Sequence, residues 1–128
     1  MSATWKTDVI QKLNADATLR GMVGARIYPA YLADVTNPKF PCVCFYLEAG
    51  TKPVAYLSFA VESIRFYSHS QRTYQEAEQI MDRVVAVLNT EIVTGEDGTF
   101  VFFFYAKPVE IYDENLRGMT VASTVRRI

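Results

Sequence analysis

Residues 73–89 read TYQEAEQIMDRVVAVLN and carry the clearest pattern in the sequence. Apolar residues recur at the i, i+3, i+4, i+7 spacing that lines one face of an α-helix, namely Ala77, Ile80, Met81, Val84 and Leu88. Thr73 and Glu76 have the spacing of a capping box, in which each side chain binds the backbone amide of the other residue. The segment predicts an amphipathic helix that packs its apolar face on a sheet.

The composition is that of a folded domain with balanced charge. The chain has 128 residues, of which 50% are apolar and 13% aromatic, and its formal charge is −1. This length is typical of one domain that buries a core without disulfides or metals, so we expect a single domain over residues 1–128. The one basic cluster is the pair Arg126 and Arg127. A nucleic-acid-binding domain normally carries a larger basic patch, so this class is disfavoured.

Signals for membranes and secretion are missing from the sequence pattern. No apolar run reaches the roughly 18 to 20 residues of a spanning helix, and residues 1–10 lack the basic and apolar regions of a signal peptide. We therefore expect a protein made and kept in a cytoplasm, with no membrane partner. Cys42 and Cys44 lie two residues apart in an apolar run, where a disulfide would be strained. We expect both to be reduced, buried thiols.

Apart from the central helix, the pattern predicts two helical segments and several strands. The first helix runs from Thr4 or Thr7 to about Asn14, and the second covers residues 16–24 and ends at Gly24. The predicted strands are residues 25–28, 41–48, 56–67, 99–106 and 119–126. The segments 30–39 and 109–118 are predicted to be loops.

The strand at residues 41–48, PCVCFYLE, is apolar on both parities. It is either buried on both faces, or covered by helices on one face and by a neighbouring subunit on the other. With residues 56–67 it should form a hairpin whose tip, residues 50–54, projects from the domain. A change of apolar parity in residues 56–67 predicts a bulge near Glu62 and Ser63.

Strands joined by short connections favour antiparallel pairing. We therefore predict an α+β fold of two layers: a mainly antiparallel β-sheet with two main helices packed on one face and a protruding β-hairpin.

The sequence offers few residues for catalysis or metal binding. His69 is the only histidine, and its position between a strand and the capped helix favours a polar turn or a helix-start contact over a general base. Cys42 and Cys44 lack the C-x₂-C geometry of zinc sites. The acidic pairs at residues 96–97 and 113–114 are explained by solvated turns. We predict no catalytic residue, cofactor site or metal site, and no enzyme activity.

The loops are more informative than the polar residues. Residues 30–39, 50–56 and 109–118 mix Tyr, Leu, Ile and Val with charged residues. Subunit interfaces have this composition, with aromatic anchors inside a polar rim. Ordinary loops that tuck a few side chains into their own core explain it equally well.

The order of the motifs resembles that of a known virion family. The relevant stretches are DATLRGMVGARIYP at 16–29, FPCVCFYLE at 40–48, ESIRFYSHSQRTYQEAEQIMDRVVAVLN at 62–89 and GMTVASTVRRI at 118–128. Together they look like the tail terminator proteins, or tail completion proteins, of long-tailed bacteriophages. The matching positions are Asp16, Leu19, Val23, Gly24, Arg26, Ile27, Tyr28, Phe40, Pro41, Val43, Ile64, Tyr67, Ser68, Glu76 and Ala77. Cys42 stands where the family has an aromatic residue, and the matched positions are structural.

The resemblance implies a non-enzymatic virion protein at the head-tail interface, assembled in the cytoplasm of a host bacterium. Such subunits form a homo-oligomeric ring, a hexamer by resemblance, that caps the tail tube, stops its polymerisation and meets the head connector. DNA would be only a passing cargo, which suits a chain without a basic patch. A closed ring repeats one heterologous interface, so each subunit needs two complementary patches.

We expect the subunit interface on apolar residues of the three loops, surrounded by charged ones. The apolar group is Tyr31, Leu32, Val54, Tyr56, Ile111 and Tyr112, and the polar rim is Lys39, Lys52, Asp113, Glu114 and Arg117.

Two other functions remain open. A head-closure or neck protein of the same virion is also small and ring-forming, and binding to tail tubes or to DNA-filled heads would separate the two roles. A small-molecule-binding regulatory domain would need a concave apolar pocket with converging polar groups.

Overall fold

The computed structural model describes residues 4–47, 61–95, 98–112 and 115–127. The helices are α1 (Thr4–Ala15), α2 (Ala17–Val23) and α3 (Tyr74–Leu88), with a single 3-10 turn at Leu32–Asp34. The strands are β1 (Ile27–Tyr28), β2 (Cys42–Leu47), β3 (Val61–Ser70), β4 (Ile92–Gly95), β5 (Gly98–Phe103), β6 (Val109–Tyr112) and β7 (Arg117–Arg127). This is the predicted α+β class, with α1 and α3 as the two long helices.

The helix α3 has the predicted core face and half of the predicted cap. All five apolar residues of its stripe are buried. Thr73 Oγ1 accepts a hydrogen bond from the Glu76 amide at 3.1 Å. The Glu76 carboxylate does not return to Thr73, because it accepts from the Ser70 hydroxyl at 2.6 Å and from Arg72 instead. The Thr73 amide donates to Ser70 Oγ at 3.3 Å, so the end of β3 completes the cap.

One mixed sheet holds all seven strands. Its order is β1-β2-β3-β7-β5-β4, and β6 pairs with β7 beside β5. The pairs β2/β3, β3/β7, β4/β5, β5/β7 and β6/β7 are antiparallel, and β1 lies parallel to β2. The sheet is therefore mainly antiparallel, as predicted, with β3 and β7 at its centre.

The pairing corrects two predictions about strands. From Val61 to Ser70 the partners in β7 run without interruption from Arg126 to Arg117, so the bulge predicted near Glu62 and Ser63 is wrong. Residues 109–118 are not a continuous loop, because β6 pairs with β7 and Arg117 begins β7. The sequence pattern did not reveal β6, because charged residues surround the two alternating apolar residues, Val109 and Ile111.

The core lies between the helices and one face of the sheet. It contains Trp5, Val9 and Leu13 of α1, Leu19 and Val23 of α2, the α3 stripe, and the strand residues Ile27, Val43, Phe45, Ile64, Phe66, Val93, Phe100, Phe102, Met119, Val121 and Val125. Burial of one such large side chain contributes roughly 1.5–3 kcal/mol. The stacked rings of Phe45 and Phe66, 5.5 Å apart, join β2 to β3 in the middle of this core.

Two further predictions concern the hairpin of β2 and β3 and the possibility of a membrane-spanning helix. The antiparallel pairing of β2 with β3 agrees with the predicted hairpin, whose tip at residues 50–54 lies outside the described residues. Within the described ranges, no helix is long and apolar enough to cross a membrane.

Candidate functional site

The face of the sheet opposite the helices is the candidate site. Strand register places Cys42 opposite His69 and Cys44 opposite Tyr67, and His69 opposite Gly118. Their neighbours along each strand, such as Phe45 and Phe66, point into the core. Because side chains alternate along a strand, this second set shares the other face, which we call the open face.

Aromatic rings cluster at one end of the open face. Tyr46 and Tyr67 stack with centroids 5.8 Å apart, and their hydroxyl groups lie 3.0 Å apart in a hydrogen bond. Tyr31 meets both rings edge-on, at 5.4 Å and 6.1 Å. Tyr67 also stacks on His69, at 5.8 Å. Aromatic pairs of this kind stabilise beyond their buried area by about 0.5–1.5 kcal/mol, so the cluster holds its shape.

The segment that carries Tyr31 is anchored across the end of the sheet. Its 3-10 turn places the Asp34 amide 2.9 Å from the Tyr31 carbonyl oxygen. The Lys39 amide donates to the Tyr28 hydroxyl at 3.1 Å, and Arg26 Nε donates to the Pro41 carbonyl oxygen at 2.8 Å. The segment therefore leaves β1 and returns to β2 in a fixed path that lays Tyr31 on the tyrosine pair.

A cavity of about 270 Å³ lies where this segment approaches β6. It is lined by Tyr31, Leu32, Ala33, Tyr67, His69, Ile111, Leu116 and Gly118. Gly118 provides part of the space, because a Cβ atom there would lie 3.3 Å from His69 Nδ1 and 3.4 Å from Ile111 Cδ1. The cavity thus joins two segments that are far apart in sequence.

The two cysteines lie under this cluster as free, buried thiols, as predicted. The hydrogen bond from the Cys42 thiol, with a smaller effect of the neighbouring His69, lowers the pKa of Cys44 to about 6 against the opposing effect of burial. The same interaction with Cys44, together with burial, raises the pKa of Cys42. The pair therefore loses its first proton far more readily than its second.

The structure brings together only part of the predicted interface. Tyr31, Leu32 and Ile111 line the cavity. Lys39 lies in the same segment as Tyr31, with an exposed side chain. The Arg117 guanidinium lies over the Tyr74 ring, 5.8 Å from its centroid, and is not among the lining residues. Tyr112 is the last residue of β6. Five predicted positions lie outside the described residues, namely Lys52, Val54, Tyr56, Asp113 and Glu114.

Sequence reasoning missed the strand residues that line the cavity. His69 is not in a polar turn, because β3 continues to Ser70 and pairs His69 with both Cys42 and Gly118. Only 8% of its surface is exposed. Tyr67 and Gly118 share its face. The parity of β3 could have placed Tyr67 beside His69, but no sequence pattern indicates that Gly118 faces them.

Two exposed apolar side chains lie at the connection between β5 and β6. Tyr105 is 74% exposed and Val109 58% exposed. The Tyr105 ring stacks on Phe103 at 5.7 Å.

The open face carries aromatic rings, aliphatic groups and hydroxyl groups, and the two tyrosine hydroxyls already pair with each other. Among the residues described, no group of three His, Cys, Asp or Glu side chains is arranged to hold a metal ion.

Comparison with known proteins places the fold among virion components. The sequence matches no protein-family model and no curated protein. A chain from the virion of a native gene transfer agent particle has a similar structure, with a TM-score of 0.73, 18% sequence identity and 98% of each chain covered. The gp17 protein of bacteriophage SPP1 is also similar, with a TM-score of 0.61 and 19% identity over 98% of this chain and 88% of that one. This chain therefore has the fold of a gene transfer agent virion component and of a bacteriophage protein.

Proposed function

We propose that this chain is a structural virion subunit of the tail terminator type. It forms a closed ring, a hexamer by resemblance, that caps the tail tube, stops its polymerisation and joins it to the head connector. DNA passes through as cargo, and the subunit performs no catalysis. It would assemble in the host cytoplasm and remain at the head-tail interface of the virion.

One observation carries this proposal. The likeness to a chain of the gene transfer agent virion extends over 98% of both chains, so it includes the sheet, the helices and their connections. The sequence resemblance to tail terminators, in motif order from Asp16 to the last strand, supports the finer role. Fold alone does not fix function, and the site must therefore supply the rest.

The open face supplies a surface suited to assembly. Tyr31 is 49% exposed although it makes two ring contacts. Leu32 and Ile111 extend the same apolar surface around the cavity. Aromatic anchors near a pocket are typical centres of protein interfaces. We place one half of the subunit interface here, with Lys39 at its rim. We keep as proposed members Lys52, Val54, Tyr56, Tyr112, Asp113, Glu114 and Arg117.

The test is the mass of the purified protein by light scattering over a concentration series, followed by addition of polymerising tail tube protein from the same virion. We expect a ring-sized species, or tubes of uniform length with capped ends in electron micrographs. A monomer that leaves tube length unchanged would contradict the proposal. Retention on DNA-filled heads but not on tubes would instead indicate a head-closure protein.

The cavity also permits a direct test of the ligand-binding alternative. Its volume of about 270 Å³ is just below the range of small-molecule pockets, which measure roughly 300–1,000 Å³. A rise in melting temperature with a small aromatic compound, at concentrations that leave assembly unaffected, would favour a ligand-binding domain.

A further inference from the structure

The connection between β5 and β6 carries the most exposed aromatic side chain among the described residues. Tyr105 is 74% exposed, and its ring stacks on Phe103 with centroids 5.7 Å apart. Phe103 pairs with Thr124, so both rings lie on the open-face side of the sheet. The ring contact restricts the rotamers of Tyr105, and an anchor that is already ordered loses less conformational entropy when a partner buries it.

The cavity on the open face has room for one aromatic ring. Its volume is about 270 Å³, and an apolar cavity of roughly 150 Å³ is enough to bind benzene. Tyr31, Leu32 and Ile111 give it an apolar lining. Aromatic side chains that fill such pockets are typical anchors of protein interfaces. The described lining residues do not include Tyr105, so this ring is not a wall of the cavity in its own subunit.

The exposed ring and the cavity lie at different places on one subunit. Phe103 pairs with Thr124, whereas the cavity is lined by Gly118, six residues earlier in β7. At about 3.4 Å per residue, the Cα atoms of Thr124 and Gly118 are about 20 Å apart. Two separate surfaces of this kind can join one copy to the next, and a contact between unlike surfaces repeats by rotation into a ring.

Opposite charges border the ring and the cavity. Lys107 follows Tyr105 by two residues and has an exposed side chain. Asp34 directly follows the lining residue Ala33 and is likewise exposed. Within the described part of the chain, neither charged side chain has a hydrogen bond or an ion pair, so both charges are available to a partner. Complementary charges at the rim of an interface steer the encounter and fix its orientation.

We infer that the Tyr105 ring of one subunit enters the cavity of the next copy, where Lys107 meets Asp34. This inference rests on the proposed ring and names the second of its two surfaces, since the proposed interface already includes the cavity. A second copy is the occupant because the same chain carries an exposed ring of suitable size, next to a charge opposite to the one at the cavity rim.

Removing the ring and filling the cavity test the contact from both sides. Tyr105→Ala and Ala33→Phe should each raise the concentration needed for half-maximal assembly about tenfold or more, because buried aromatic anchors carry much of the binding energy. Tyr105→Phe keeps the ring and should assemble close to wild type. A mixture of Tyr105→Ala with Ala33→Phe should stop at a heterodimer, since an intact ring and an intact cavity then meet in only one contact of each pair.

Charge exchange tests the orientation of the contact. Lys107→Glu and Asp34→Lys should each weaken assembly severalfold at low salt, because like charges then meet. A chain with both substitutions should recover wild-type assembly, since opposite charges again face each other in every contact. A doubly substituted chain that stays defective would remove Lys107 and Asp34 from the contact.

Controls separate the contact from folding and net charge. Ile92→Ala removes an exposed apolar side chain on β4, and Arg20→Glu and Asp82→Lys repeat the charge changes at exposed positions on α2 and α3. All three should assemble at wild-type concentrations. Circular dichroism should show that every variant is folded at the temperature of the assay, so that loss of assembly reports the contact.

The outcomes distinguish this inference from the proposed function. Wild-type rings that neither Tyr105→Ala nor Ala33→Phe weakens overturn the inference and leave the ring proposal intact. Variants that form normal rings but no longer cap tail tubes would assign these surfaces to the tube protein, and the inference is then wrong. A wild-type dimer that both variants dissociate supports the contact and contradicts the ring. A wild-type protein that is monomeric at all concentrations and on tail tubes overturns both.

Discussion

Asp16 connects two helices through one carboxylate. Its Oδ2 accepts from the Leu19 amide at 3.0 Å and caps α2, and it also accepts from Arg83 Nε at 2.9 Å. Its Oδ1 accepts from Arg83 Nη2 at 2.6 Å. Asp16→Ala removes both the cap and the ion pair, and loss of the cap alone costs about 1 kcal/mol. Asp16→Asn keeps a capping oxygen, so chemical denaturation should rank it between wild type and Asp16→Ala. Equal stability of the two variants would contradict the dual role.

The same ion pair predicts a pH dependence. The hydrogen bond from Arg83 holds the pKa of Asp16 below its usual value of 3.8. The contribution to stability is therefore complete above about pH 3.8 and is lost as the pH falls through the lower pKa of the folded protein. The difference in unfolding free energy between wild type and Asp16→Asn should be constant near neutrality and shrink below pH 3.8. A difference that grows on acidification would show that the charge does not stabilise the fold.

The two thiols give a test of burial. Cys42 and Cys44 have no exposed surface, so a thiol reagent should label neither in the native protein at a rate faster than local opening allows. Both should react at once in denaturant, where the lowered pKa of Cys44 no longer applies. Fast labelling in the native state would show that the segment over the open face moves away from the sheet.

Individual elements differ in how much of them the sequence predicts. The helix α3 has a period and a start signal of its own, and its limits and buried face were predicted. The strands β4 and β6 were not, because each has four residues and is defined by its pairing with β5 or β7. The strand β5 ends at Phe103, three residues before the predicted end, since the Phe104 amide leaves the ladder and donates to Asn89 Oδ1 at 3.1 Å.

Substitution of glycine by alanine should have opposite effects on stability at two positions, Gly21 and Gly118. Gly21 lies inside α2 with nothing within 4 Å of an added Cβ, so Gly21→Ala should stabilise the protein by roughly 0.5–1 kcal/mol. At Gly118 an added Cβ would meet His69 Nδ1 at 3.3 Å and the Ser68 carbonyl oxygen at 3.4 Å. Gly118→Ala should therefore destabilise by about 1 kcal/mol. Urea unfolding of both variants checks the signs, and shifts in the same direction would contradict the packing at β7.

At the scale of the molecule, the candidate site depends on contacts that no local pattern encodes. Composition pointed to Tyr31, Leu32 and Ile111 as apolar residues on loops. Their meeting with Tyr67, His69 and Gly118 requires the register between β3 and β7, which joins distant parts of the chain. The sequence therefore singled out three of the residues that line the cavity, whereas the other lining residues became evident only from the sheet.

The proposed interface makes Tyr31 a sensitive position. Tyr31→Asp places a carboxylate on an exposed aromatic surface and should abolish ring formation in light scattering at temperatures well below its own melting temperature, which falls because two ring contacts are lost. Thr18→Asp is the matched control on the exposed surface of α2 and should assemble normally. Assembly of Tyr31→Asp at wild-type concentration would remove this residue from the interface.

The central position of β7 has a consequence for the synthesis of the protein. Val61 pairs with Arg126 and Ser70 with Arg117, so the middle of the sheet forms between strands that a ribosome produces at very different times. Contacts between distant parts of a chain form slowly, and transiently exposed apolar surface favours aggregation. Until residues 117–127 leave the exit tunnel, Ile64 and Phe66 lie on a strand that lacks its β7 partner. A nascent chain arrested before Arg117 should thus be a chaperone client, and native structure should appear only after translation has passed that point.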